Sequence, residues 1–383
     1  MRAMYDLDWL KREVWPAAPR RPVGRISLVD VFCGCGGLTL GAWEAARRNN
    51  VQLEIKLALD SSEDALTIFQ DNFRVSEHAL ACADITRIFS GRLTASLNVE
   101  ERRWRRRIGD VDILVAGPPC QGHSDLNNHT RRHDRRNSLY ARAVRAIRVL
   151  MPHAAIIENV PAVVHDQGHV IARARNALHR WGYATSEASV NAVNIGVPQR
   201  RVRHLLVATR GDSSFSLSDC LANSKSAAPL AVSSVLAGLE DEPDYNSNIF
   251  GSPSRMAEQN SKRVAFLFSE DAYDLPDRLR PRCHRLKRHS YRSMYGRMRW
   301  DKPAQTITSG FGSMGQGRFV HPTRPRTITP HEAARIQGIP DFFRWGSVAT
   351  RGALQEMIGN AVIPRVSGLV IDGLLKQGLL DVR

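Results

Sequence analysis

Cysteine is scarce in this chain. Six thiols, at 33, 35, 82, 120, 220 and 283, are scattered over 383 residues. Such spacing excludes a dense disulfide framework. Cys33-Gly34-Cys35 also lacks the paired C-x-x-C spacing of structural zinc sites, so no metal is expected. Long apolar runs are missing too. Val111–Ala116 and Ala154–Ile157 are strand-sized, well short of the roughly 18–20 residues a membrane helix needs. The first residues, Met1-Arg2-Ala3-Met4-Tyr5-Asp6, carry no apolar h-region. No signal peptide is therefore expected, and a cytoplasmic location with reduced thiols is. Acids are short relative to bases: 38 Asp and Glu face 54 Lys and Arg, a net charge of +16. That excess favours polyanions, either nucleic acid or an anionic membrane face. A basic surface kept for solubility would look the same.

The composition otherwise suits a globular protein. Apolar residues make up 43% of the chain, and the length fits two or three units of roughly 100–200 residues each. Residues 1–24 are polar and contain Pro16, Pro19 and Pro22, which predicts an arm or a single helical turn. From Arg25 onward, β-branched apolar runs alternate with helical periodicity. Strands are predicted over Ile26–Phe32, Leu53–Leu59, Cys82–Ile85, Val111–Ala116, Ala154–Ile157 and Arg203–Thr209. Helices are predicted over Leu38–Asn49, Ser61–Asn72, Leu139–Met151 and Ile171–Trp181. This alternation predicts an α/β fold with a doubly wound, mostly parallel sheet.

The rhythm stops near residue 210. Residues 211–260 are rich in Ser, Asn, Asp and Pro and predict loops and short strands. Asp277–Trp300 is dense in arginine, with His284, His289, Tyr291 and Tyr295 interleaved, and 301–321 is glycine-rich. Thr329–Gln337 has the signature of a capped helix, with Pro330 at its first position and Glu332 in the capping-box position. Leu354–Ile358 and Val366–Lys376 are apolar enough to be helices that return to the first unit.

Four motifs stand at strand ends. Asp30-Val31-Phe32-Cys33-Gly34-Cys35-Gly36-Gly37-Leu38 joins the first strand to the first helix. Glycines there let backbone N–H groups approach a ligand, and Asp60 closes the second strand where a ribose hydroxyl is held in nucleoside-binding folds. The spacing is not G-x-G-x-x-G, which argues against a nicotinamide enzyme. Gly117-Pro118-Pro119-Cys120-Gln121-Gly122-His123-Ser124 follows the fourth strand, and its two prolines stiffen the chain before a thiol that could serve as an aimed nucleophile. Glu158-Asn159-Val160 ends the next strand. Gln199-Arg200-Arg201-Val202-Arg203 places Arg201 and Arg203 on one side of an extended segment, where guanidinium groups lower a thiol pKa or hold phosphate. Each also has a plain structural explanation: a tight turn, a rigid loop, a strand cap, a basic surface strand.

Taken in order, these motifs resemble the DNA cytosine-5 methyltransferase family over about residues 26–376. Phe32-x-Gly34-x-Gly36-Gly37 is similar to its cofactor loop, Pro118-Pro119-Cys120-Gln121 to its nucleophile loop, and Glu158-Asn159-Val160 to its acid motif. Gln199-x-Arg201-x-Arg203 matches. So do Arg326-x-x-Thr329-Pro330-x-Glu332-Ala333-Ala334-Arg335-Ile336-Gln337-Gly338 and Gly359-Asn360-Ala361-Val362-x-Pro364. His123 stands where the family more often has Phe, and Ile363 where Pro is common.

The resemblance implies methyl transfer from S-adenosylmethionine to C5 of a cytosine flipped out of duplex DNA. Cys120 is the implied nucleophile at C6. Glu158 is implied to meet N3 and the 4-amino group, with burial raising its pKa so that it donates a proton. Arg201 would face the base carbonyl and the Cys120 loop, and Arg203 would support that geometry. Phe32, Gly34, Gly36, Gly37, Leu38, Asp60, Asp84, Pro119 and Asn360 are the implied cofactor residues, with a simple helix cap as the alternative for Asp84. Ser124, Arg136 and Gln199 are implied to bind DNA, on or near a mobile basic loop that also holds Arg131, Arg132 and Arg135. The implied organisation is an arm (1–24), a catalytic and cofactor-binding domain (25–214), a smaller, irregular, β-rich target recognition domain (215–349), and a segment completing the catalytic domain (350–383). A monomer is expected, in a restriction–modification system with a separate endonuclease or as a solitary enzyme. A non-catalytic DNA-binding relative and a tRNA-methylating relative are the competing readings. Intact Cys120, Glu158 and Arg201 weigh against the first, and Ser124 against the second.

Overall fold

The computed structural model describes residues 7–119, 138–166, 168–211, 215–226, 228–239, 248–282, 285, 293–348 and 350–383. Its centre is a seven-stranded sheet. In chain order the strands are β1 (Arg25–Val31), β2 (Gln52–Asp60), β3 (Leu80–Cys82), β4 (Ile113–Ala116), β5 (Ala154–Asn159), β6 (Tyr183–Asn191), β7 (Gln199–Arg200), β8 (Val202–Arg210) and β9 (Ala304–Gln305). The sheet order is β3-β2-β1-β4-β5-β8-β6, and β7 pairs with β9 apart from it. The strands from β3 to β5 are parallel, whereas β8 runs antiparallel to β5 and β6.

Central strands are buried on both faces, so successive residues feed two cores. Leu28, Ile113, Val115 and Ile156 face one core with Ala42, Val366 and Val370. These come from the helices Gly37–Arg48 and Pro364–Lys376. Val29, Leu114, Ala116 and Ile157 face the other with Val144, Ile147 and Ala174, from the helices Ser138–Leu150 and Val170–Arg180. The stretch Arg351–Lys376 is long and apolar enough to cross a membrane by composition, yet 67% of its most apolar window is buried. It is also broken into two helices, Arg351–Asn360 and Pro364–Lys376.

A third core joins both halves of the sequence. Leu40 and Ile68 pack with Ile328, Ala333, Phe342 and Ile358, and Trp9 and Leu10 of the N-terminal arm join them. Trp15 lies edge-on to Trp43 at 4.8 Å and 4.6 Å from Phe342, ring centre to ring centre. The arm thus forms one helical turn, Leu7–Leu10, and then straps across the first unit. The helix Pro330–Ile336 has the expected capping box between Thr329 and Glu332.

Three local expectations need correction. The third strand is Leu80–Cys82, because Asp84 caps a helical turn that begins at Ile85. The stretch 211–260 holds helices at Leu217–Asn223 and Ser233–Leu236 and the start of Glu258–Ser269. Serines and a polar surface had masked their short apolar faces. Among the described residues of 215–349, the one named strand is the two-residue β9, so the described part of this segment is not β-rich.

Candidate active site

Phe32, Asp60, Pro119 and Glu158 stand at the carboxyl ends of the parallel strands β1, β2, β4 and β5. β1 ends where Phe32 takes a positive φ of 59°, an uncommon conformation for a bulky residue and a strained one. The chain thereby turns sharply into the glycine loop. Gly34 N–H donates to Asp60 Oδ2 at 2.8 Å, which ties the loop to the end of β2. Gly36 has φ 96°. Gly37 packs so closely on the Ala361–Ile363 turn that a Cβ there would lie 2.3 Å from Val362 O. No larger residue fits that approach. Leu38 is buried, and its carbonyl accepts from Ser367 Oγ at 2.7 Å. The C-terminal segment therefore closes the back of the loop.

Asp30 lies two residues before the loop and has no exposed surface. Its Oδ2 accepts from Thr39 Oγ1 at 2.6 Å, while Oδ1 is buried without a hydrogen-bond partner among the described residues. Burial pushes its carboxyl up to about 8, and the nearby Asp60 adds to the rise against the Thr39 hydrogen bond. Burial likewise pushes Cys35 up to about 12 and Cys33 well above the usual thiol range. Neither thiol is poised as a nucleophile. Asp84 is exposed and accepts from Thr86 N–H at 2.8 Å. That backbone bond holds its carboxyl below the usual range. Asn360 is exposed at the end of its helix, and Pro119 is half-buried after β4.

Glu158 is buried at the end of β5. Arg203, near the start of β8, places Nε 2.7 Å from Glu158 Oε1. The contact is an ion pair by distance rather than an aligned hydrogen bond. Beside it, Asn159 Nδ2 donates to Pro118 O at 3.3 Å. That bond fastens the segment leading to Cys120 to the residue next to Glu158. Cys120, Ser124, Arg131, Arg132, Arg135 and Arg136 lie outside the described residues.

Arg201 and Arg203 do not share a task. Arg201 is buried, and its guanidinium donates to the carbonyls of Ile307, Gly359 and Ala361. The arginine beside the acid is Arg203, whereas the described contacts of Arg201, expected at the base carbonyl and the Cys120 loop, are to these backbone carbonyls. Gln199, expected on DNA, has no exposed surface. Its Nε2 donates to Gln337 Oε1 at 2.9 Å and to Ile336 O at 3.3 Å, and its Oε1 accepts from Ile307 N–H. Both ends of the amide are engaged internally, so its side chain is a structural bridge. Gln337 in turn donates to Ile358 O at 2.6 Å. These three polar side chains clamp the segment around Ile307 and the turn before Asn360 onto the start of β8.

The motif from Arg326 to Gly338 builds a buried ion cluster. Arg326 meets both oxygens of Glu332 at 2.8 Å, and His321 Nε2 lies 3.2 Å from Oε1. Burial alone would raise the Glu332 carboxyl, but Arg326 and His321 hold it far below the usual range.

The profile of the C-5 cytosine-specific DNA methylase family matches residues 26–376. The chain belongs to that family. The Type II methyltransferase M1.BsuMI of Bacillus subtilis (strain 168) is 41% identical over 372 residues, covering 97% of this chain and 85% of that protein. The Type II methylase M.HgiDII of Herpetosiphon aurantiacus is 28% identical over 364 residues, covering 92% and 96%. The crystal structure of the S. pombe Dnmt2 methyltransferase superposes with a TM-score of 0.61 at 18% identity, over 92% of this chain and 99% of that one. This last likeness supports the fold. The cytosine methylase is accordingly an enzyme of DNA modification.

The residues that sequence reasoning missed are positional. Asn159, Gln337 and Asp30 each lay inside a quoted motif, but only the structure shows what their side chains hold. The basic stretch Arg278–Arg299 is partly committed to packing: Arg280 donates to Leu275 O, and Arg297 donates to Pro322 O and lies 4.2 Å from the Phe268 ring centre.

Proposed function

We propose that this cytosine methylase transfers a methyl group from S-adenosylmethionine to C5 of a cytosine in duplex DNA, through a covalent bond between Cys120 and C6. The observation that carries the reading is the convergence of the Cys120 approach and Glu158 on one edge: Pro118 is fastened to Asn159, and Arg203 meets Glu158.

The loop fits a nucleoside cofactor bearing an amino-acid group. It offers the Gly34–Leu38 backbone, two acidic side chains at Asp30 and Asp60, and an orphaned buried oxygen at Asp30 Oδ1. Phe32, Asp60, Asp84, Pro119 and Asn360 would complete it. When bound, the cofactor supplies an electrophilic methyl group. The chain's own residues do the rest. The Cys120 thiolate bonds to C6, and Glu158 gives a proton to N3, so the ring becomes an enamine that is nucleophilic at C5. After C5 is methylated, its proton leaves to a base and the S–C6 bond breaks. Arg203 orients the Glu158 carboxyl. Ser124 and Arg136 would contact phosphate, and the target cytosine would leave the stack to reach the thiol. Residues 215–349 would read the sequence. The Type II names of the relatives support a modification role beside an endonuclease.

Bisulfite sequencing of DNA from a methylation-free host expressing the chain tests this reading. Protected cytosines in one sequence context are expected, and DNA with no protected cytosine would refute it. A chain that methylates tRNA but not duplex DNA would favour the other substrate.

A further inference from the structure

The loops at Gly34, Asp60, Pro119 and Glu158 occupy the carboxyl edge of the sheet. The opposite edge holds a cavity of about 340 Å3 lined by Arg105, Arg106, Asp110, His153, Arg210 and Arg383. These residues arrive from four separate stretches of chain. The helix Val99–Ile108 reads VEERRWRRRI, and all five of its arginines are exposed. The helix dipole favours Arg105, Arg106 and Arg107 in the last turn but not Arg102 and Arg103, so it accounts for only part of this charge.

Partners explain only part of this charge. Arg383 Nε lies 2.7 Å from Asp381, and its Nη1 lies 3.6 Å from Asp110, the one carboxylate in the lining. His153 faces Asp112 at 3.1 Å. Arg210 donates to Met151 O at 2.8 Å and keeps further N–H donors. The side chains of Arg105 and Arg106 have no hydrogen bond or ion pair among the described residues. Four guanidinium groups thus line one concavity against the single side-chain carboxylate of Asp110.

We propose that this edge binds the phosphate backbone of a second stretch of duplex DNA while the carboxyl edge holds the target. The identity of the polyanion rests on the DNA-methylation reading above. The six residues of β5 span five steps of about 3.3 Å, so roughly 16 Å of sheet separates the two edges, which face away from one another. One straight duplex cannot lie on both. Guanidinium–phosphate contacts carry no sequence information, so the second segment is held in any sequence context. Its use would be transfer of the enzyme between neighbouring DNA segments.

The test uses the full chain without cofactor and the variant Arg105→Gln/Arg106→Gln/Arg210→Gln. Glutamine is shorter than arginine but removes the charge, stays polar and unbranched, and at 105 and 106 keeps a similar helix propensity. One duplex is tethered to beads, and a second, fluorescent duplex is added with protein. The parent chain should retain the second duplex, and the variant should lose about tenfold of it while still binding the first. The slope of log affinity against log salt should fall by about 0.9 for each phosphate contact removed. Methyl transfer to short duplexes should change less than about twofold. Unchanged bridging and slope in the variant would reduce this edge to a solvated basic face and overturn the proposal. An equal loss of methyl transfer on short duplexes would place these arginines on the target's own path, which also overturns it. So would displacement of the second duplex by inorganic phosphate alone at matched ionic strength. Bridging is read without methylation. A chain that bridges but does not methylate keeps this surface and sinks the preceding reading instead.

Discussion

Arg203 and Glu158 meet across the antiparallel pair β5–β8, with Nε 2.7 Å from Oε1. Both side chains are largely buried there, so each fixes the other. A guanidinium fork sets the plane of a carboxyl group in a way that an ammonium cannot. Arg203→Lys should therefore slow methyl transfer while leaving DNA affinity nearly unchanged. Glu158→Gln removes the proposed proton donor and should lose roughly 10²–10⁴-fold in rate. Single-turnover rates alongside DNA affinities check both. Parental rates in both variants would reduce the pair to a strand-end cap.

Gln199 gives a different expectation. Its amide is internal, between Gln337, Ile336 and Ile307. Gln199→Ala leaves several buried groups unpaired, at about 1–3 kcal/mol for each. Thermal unfolding should show lower stability, and the salt slope of DNA binding should stay as in the parent. A changed slope at unaltered stability would return this side chain to the DNA surface.

Glu332 sits between Arg326 and His321, and those partners hold its carboxyl far below the usual range against the opposing effect of burial. A depressed carboxyl contributes stability that is present above its unfolded pKa, near 4.5, and lost as pH falls below that. Glu332→Gln should cost about 3–5 kcal/mol near neutral pH, because it strands buried positive charge. The gap between parent and variant should narrow as pH drops through 4. Urea unfolding at pH 7 and pH 4 measures it, and a gap of constant size would contradict the ion cluster.

Asp30 has the opposite sign. Its carboxyl is pushed up to about 8 from 3.8. A raised carboxyl contributes stability that is full below the unfolded value and lost as pH rises toward the folded one. Stability of the parent should carry a downward slope between about pH 4 and 8 from this group, and Asp30→Asn should remove that slope. Unfolding at pH 6 and pH 8 in both chains tests it. Equal pH dependence in the two chains would mean that Asp30 is not a buried, proton-holding acid.

Much of the fold was legible because the central strands are short, apolar and buried on both faces. Ile26, Leu28 and Val29 announced β1, and the motifs at strand ends located one edge of the sheet. Edges and polar helices were less readable. β6, with the sequence YATSEASVN, lies at the rim of the sheet and needs little apolar character. The helix Val99–Ile108 hides its two buried positions, Glu101 and Ile108, among five arginines. Buried charge also escaped notice. Arg145 and Glu101 have no exposed surface and meet at 2.6 Å, which no hydrophobic pattern signals. The site was legible as a set of motifs but not as a division of labour. Arg201 and Arg203 stand two apart in an extended segment, yet one clamps three carbonyls and the other meets the acid. Which one turns inward depends on the 304–309 segment, which lies about a hundred residues away.

The central claim is that Cys120 attacks cytosine, and one measurement addresses it directly. Duplex DNA made with 5-fluorodeoxycytidine at every cytosine is incubated with the enzyme and S-adenosylmethionine. The product is then denatured and its intact mass determined. Fluorine at C5 cannot leave as a proton does, so the S–C6 bond cannot break. The account predicts a denaturation-stable protein–DNA adduct whose cross-linked peptide contains Cys120, and no adduct from Cys120→Ser. Methylation of ordinary DNA without any trapped species, or an adduct of equal yield from Cys120→Ser, would contradict it.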